Sequence, residues 1–164
     1  MLVYHYTHLQ AGASIIQDEF LKVSETESKK GLKPALWFSK NELYEPTALK
    51  SYTYKGIINS FKTLQEQADV IGCARIGYYD NDNNLTSWKE YRNLSGLPRQ
   101  DRRLIEKSYK KQGAKLSDWF CSFEDMSIDD MGFVEIWIDK WVEWTEKSLK
   151  TAMDKAEGII YDEE

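Results

Sequence analysis

The feature that most constrains this chain is a strand that runs directly into a helix. Leu2–Thr7 alternates and is rich in aromatics, the pattern of a β-strand. Leu9, Ala13, Ile16 and Phe20 then recur at helical spacing, with Thr7 or His8 at the helix start. On a strand, residues two apart share a face, so His5 and Thr7 point the same way. Two neutral hydrogen-bonding side chains on one face suit the hydroxyls of a sugar, and His changes charge near neutral pH. The bland alternative is a structural strand histidine. His8 reads as a cap or surface group.

Two later segments give that strand candidate partners. Residues 35–39 form a short aromatic strand ending in Trp37, Phe38 and Ser39. Trp37 and Phe38 are either two core aromatics or a wall for ring stacking, with Ser39 as its polar edge. Residues 133–142 are the longest strand candidate. There Val134, Ile136 and Ile138 take one face, and Phe133, Glu135 and Trp137 the other. A carboxylate between two aromatics is costly to bury unpaired. Glu135 therefore has a partner, lies at an edge, or belongs to a site. Arg75 lies on a third strand, residues 70–79, and either pairs with such a carboxylate or meets a phosphate.

The remaining segments supply a frame. Residues 24–33 read as a loop, 41–50 as turns with one helical turn near Pro46, and 57–67 as a helix. Residues 80–84, Asp-Asn-Asp-Asn-Asn, are a strong turn signal. Helices follow around Trp88, Tyr91 and Leu94 and over 101–112, the second stopped by Gly113. Residues 119–123 read as a strand. Leu149, Ala152, Met153 and Ala156 mark a last helix, and 158–161 a last strand. Irregular alternation of helices and half-polar strands predicts an α+β fold with antiparallel pairing, as one domain over residues 1–164.

Composition excludes several functions. A net charge of −5 argues against tight, non-specific nucleic-acid binding. The run Arg99, Arg102, Arg103, Lys107, Lys110 and Lys111 reads as a solvated helix face. Cys73 and Cys121 lack metal-ligand spacing and read as buried and reduced. No phosphate-loop, dinucleotide, nucleophile-elbow or zinc-protease motif is present. The acidic residues near Asp125, Asp129 and Asp130 match no metal loop, so no metal is expected. No leader or membrane-length apolar run is seen, and a cytoplasmic location without a membrane partner is expected.

The order of these pieces resembles the ADP-ribosyltransferase superfamily, especially its small bacterial DarT-type toxins. The resemblance rests on Tyr4-His5-Tyr6-Thr7, the helix that follows, the strand ending in Ser39, and Val134-Glu135-Ile136. It covers about the first fifty residues and the Glu135 strand. It implies a mixed, mostly antiparallel split sheet with flanking helices, and NAD as the cofactor consumed. It implies that His5, Tyr6 and Thr7 meet NAD, with Trp37, Phe38 and Ser39 at the nicotinamide and Glu135 as the catalytic carboxylate. Arg75 is a further cofactor-binding candidate. Many relatives carry Tyr where Trp37-Phe38 stands here. The implied activity is ADP-ribosyl transfer to an acceptor that the sequence does not name, in a toxin or phage–host conflict factor. The alternative is a non-catalytic module on the same fold that recognises a nucleotide or a protein partner. Removal of a 2′-phosphate from RNA fits less well, because it calls for more cations than the central Arg75. The transfer reading requires the His5 and Glu135 side chains to share one cleft.

Overall fold

The computed structural model describes residues 1–29 and 31–156; the strand expected at 158–161 lies outside them. A seven-stranded sheet organises the rest. Its strands are β1 (Leu2–Thr7), β3 (Leu36–Ser39), β6 (Ala74–Tyr79), β7 (Thr86–Ser87), β8 (Trp119–Ser122), β10 (Phe133–Trp137) and β11 (Trp141–Glu143). Their spatial order is β11-β10-β6-β1-β3-β8-β7. Two small sheets stand apart: β2 (Phe20–Leu21) with β9 (Met126–Ser127), and the hairpin of β4 (Ser51–Tyr54) and β5 (Ile57–Ser60). Helices α1 (Leu9–Asp18), α2 (Thr26–Lys29), α3 (Leu64–Val70), α4 (Trp88–Leu94), α5 (Arg99–Lys111) and α6 (Glu146–Lys155) flank the sheet. The fold is α+β with antiparallel pairing, as expected. A mixed sheet is not found: every strand pairing among the described residues is antiparallel.

Register sorts the side chains into two faces. His5 pairs with Ile76, which pairs with Val134; Tyr6 pairs with Arg75, which pairs with Glu135. One face therefore carries Val3, His5, Thr7, Ile76 and Val134. The other carries Tyr4, Tyr6, Arg75 and Glu135. On the first face Val3, Leu36, Phe38 and Ile76 form the main core with Leu21 and Leu85. At the far end of the second face, Trp119 and Cys121 pack with Trp88 and Tyr91 of α4, and Trp37 joins them. Both cysteines are free and buried.

The loop expected at 24–33 holds the short helix α2, and three further boundaries differ from the sequence reading for a local reason. The helix expected at 57–67 begins only at Leu64, where the Thr63 hydroxyl accepts the Glu66 N–H as its cap. Before it, Lys55 and Gly56 both have positive φ (49° and 77°), the geometry of a tight hairpin turn, and they fold 51–60 back on itself. The strand expected at 133–142 is a hairpin that turns at 138–140, where Ile138 N–H donates to the Lys140 carbonyl at 3.2 Å. The strand expected from residue 70 starts at Ala74, after α3 ends and Gly72 turns at φ +76°. A Cβ on Gly72 would lie 2.6 Å from Leu9 Cβ, so α1 packs tightly on that turn.

Candidate functional site

Strands β1 and β3 are neighbours in register only at Tyr4 and Ser39. Past that point His5 intrudes between them. Its Nδ1 lies 2.8 Å from the Trp37 carbonyl oxygen, which can only accept, so Nδ1 carries the proton and donates. Burial pulls the imidazole down to about 4, with Lys50 a lesser contributor in the same direction. The ring is therefore neutral at pH 7, and Nε2 is a bare acceptor.

A cleft of about 410 Å³ opens at this parting of the strands. His5, Tyr6, Trp37, Phe38 and Ser39 all border it, so five of the seven residues expected to hold the cofactor meet at one place. Their roles differ. Trp37 is clamped by its indole N–H, which donates to Glu27 Oε1 at 3.0 Å, and by the Tyr91 ring at 4.7 Å. Phe38 is 2% exposed and packs on Tyr78, so it acts mainly as core. The Ser39 hydroxyl donates to Glu45 Oε2 at 2.8 Å. The Tyr6 hydroxyl donates to the Asn41 carbonyl, and burial raises its pKa.

Thr7, Arg75 and Glu135 are placed elsewhere. Thr7 is buried and faces a much smaller pocket with Gln67 and Cys73. Arg75 Nε and Nη2 donate to Glu135 Oε1 at 2.8 and 2.7 Å. The guanidinium also donates to the Glu42 carbonyl, and it lies 4.5 Å from the Tyr4 ring centre and 4.6 Å from that of Trp141. Arg75 and Glu135 are thus each other's partners, the bland alternative for both. The expected meeting of Glu135 with His5 and Thr7 does not occur: strand register puts them on opposite faces.

Sequence reasoning missed Glu45, whose carboxylate borders the cleft and is buried. It sits before the 3₁₀ turn Pro46–Ala48 and accepts from Ser39 Oγ and, at 2.9 Å, from Thr47 Oγ1. A carboxylate immediately before Pro, with Thr two residues on, was the available signal. Lys50 borders the same cleft, and burial lowers its pKa. Trp88 and Tyr91 of α4 and Tyr109 of α5 close the far end. The arrangement offers a neutral acceptor, a hydroxyl–carboxylate pair, a lysine and an aromatic wall. Among the described residues no cluster of metal-ligating side chains occurs, and no helix is long and apolar enough to cross a membrane. No family model, curated protein or solved structure matches this chain.

Proposed function

We propose that this protein binds an NAD-type nucleotide in the cleft between β1 and β3, on an ADP-ribosyltransferase-like fold. One observation carries the reading. The bare His5 Nε2, the Ser39–Glu45 pair and Trp37 border a single cleft, and its volume lies within the ordinary range for small-molecule sites. A ribose hydroxyl donates to His5 Nε2, and a ligand ring lies along the aromatic wall at Trp37. The parted β1–β3 pairing supports the split sheet of the proposed fold.

A second reading adds turnover, namely ADP-ribosyl transfer. Glu45 favours it, since a buried carboxylate at the cleft stabilises positive charge developing on a ribose. In that step the bond from ribose C1′ to the nicotinamide nitrogen breaks and nicotinamide leaves with the electron pair. The acceptor nucleophile bonds to C1′ and gives up a proton. Here Glu45, not Glu135, supplies the carboxylate.

Calorimetry with NAD, run beside a nicotinamide-release assay, tests both readings. Binding without release supports the module. Release lost in Glu45→Gln and kept in Glu135→Gln supports transfer. No heat of binding from millimolar NAD defeats both. A His5→Phe variant should bind about tenfold more weakly, the loss of roughly one hydrogen bond; unchanged affinity removes His5 from the site.

A further inference from the structure

Helix α5 presents a face of a single charge sign. At about 100° per residue, Arg99, Arg103, Lys107, Lys110 and Lys111 gather on one side of it. All five are exposed. None makes an ion pair among the described residues. Of the two carboxylates of α5, Glu106 lies at the edge of this face, about 20° from Arg99 around the helix, with its carboxylate engaged elsewhere. Glu106 accepts from Trp88 Nε1 at 2.9 Å and pairs with Arg92 at 3.1 Å, and Asp101 falls on another flank. Arg99 and Arg103, Arg103 and Lys107, and Lys107 and Lys111 are i,i+4 neighbours of like charge, an arrangement that destabilises a helix. The helix holds six cations and two carboxylates, a net +4 within a chain of −5, so the rest carries −9. Leu104, 68% exposed, borders the same face.

We propose that this face docks an acidic, amphipathic segment of a partner protein. The partner's carboxylates meet the cations and relieve their mutual repulsion, and one of its apolar side chains covers Leu104. Two observations favour a protein segment over nucleic acid. The cationic face is only about 18 Å long. A duplex carries a charge every ~1.7 Å and would run on past the helix toward described residues that are net acidic, where like charges repel over a screening length of about 8 Å. Leu104, moreover, gains nothing from a phosphate. On its opposite side α5 contributes Ile105 and Tyr109 to the cleft, so the docked segment lies beside the cleft mouth. The proposal stands on α5 alone and does not depend on nucleotide binding.

The test is fluorescence anisotropy with three labelled probes: a short synthetic helix bearing Glu at i,i+4 and Leu on one face, polyglutamate, and duplex DNA. The expected result is salt-sensitive binding of the amphipathic helix, weakened about tenfold or more by the triple change Arg103→Glu, Lys107→Glu and Lys111→Glu. The triple variant turns only the Arg99–Arg103 pair into an opposite one and leaves 103/107 and 107/111 like-charged, so its folding is checked by circular dichroism and thermal melting before its binding is read. Leu104→Ser should weaken the amphipathic helix and leave polyglutamate unchanged. Failure of the helix to bind, equal binding by a folded triple variant, or tighter binding of DNA than of the helix overturns the proposal. If the triple variant does not fold, Arg103→Gln with Lys107→Gln takes its place. The same loss is expected of it, and undiminished binding by that double variant likewise overturns the proposal.

Discussion

Replacing Glu135 by Gln separates a structural carboxylate from a catalytic one. The side chains of Arg75 and Glu135 are 11% and 21% exposed, and one carboxylate oxygen accepts from two guanidinium nitrogens at 2.7 and 2.8 Å. Charge-assisted hydrogen bonds of this kind contribute about 1.5–3 kcal/mol. Gln keeps an acceptor oxygen but removes the charge. Arg75 would then rest on the Glu42 carbonyl and on the faces of Tyr4 and Trp141. We expect Glu135→Gln to cost about 2 kcal/mol. Arg75→Met should cost more, about 3 kcal/mol, because it leaves a half-buried carboxylate without its cation. The double change Arg75→Met with Glu135→Leu should recover most of that loss, because an apolar pair carries no desolvation penalty. Urea unfolding of the parent, Arg75→Met, Glu135→Leu (expected to cost about as much as Glu135→Gln) and the double variant gives the coupling energy, expected at about 4 kcal/mol. Additive single effects, or a Glu135→Gln variant within about 0.5 kcal/mol of the parent, would refute the ion-pair argument.

The remaining expectations concern backbone packing and pH. A Cβ on Gly77 would sit 2.2 Å from the Phe133 ring, so Gly77→Ala should destabilise by about 2 kcal/mol in urea, and a neutral result would contradict the packing between β6 and β10. His5 titrates near 6.5 when unfolded and about 4 when folded, so between those values the unfolded chain binds the extra proton. Stability should therefore fall as pH drops from about 6.5 to about 4, by up to about 3 kcal/mol from this group. His5→Gln should flatten that part of the profile and leave the slopes from His8, whose pKa burial also lowers, and, at its acid end, from Glu106, whose pKa, against burial, the Trp88 and Arg92 hydrogen bonds lower; an unchanged slope would show that the imidazole is not held neutral.

The strands were legible where period and composition agreed. β1 matches its expected bounds because aromatic alternation is unbroken from Leu2 to Thr7. The 3₁₀ turn at Pro46 and the stop after α5 followed from Pro and Gly chemistry. Residues 57–67 misled because Ile57, Phe61 and Leu64 have helical spacing, while the positive φ values at Lys55 and Gly56 depend on a turn that spacing does not reveal. Face assignment within one strand was sound: Phe133, Glu135 and Trp137 do oppose Val134 and Ile136. What sequence could not supply was register between strands. A one-residue difference in pairing carries a side chain to the other face, and it is this register that parts His5 from Glu135. Glu45 stayed hidden because its significance comes from Ser39 and Thr47 closing on it in three dimensions.

The central claim is that the β1–β3 cleft, and not the Arg75–Glu135 pair, receives the ligand. Nitrogen-15 NMR of the histidine side chains during titration with NAD tests it most directly. The free protein should show His5 with Nδ1 protonated and Nε2 bare at neutral pH, and NAD should shift the Nε2 resonance while the Arg75 Nε signal stays in place. A protonated His5, or NAD shifting Arg75 while His5 is unmoved, would contradict the account.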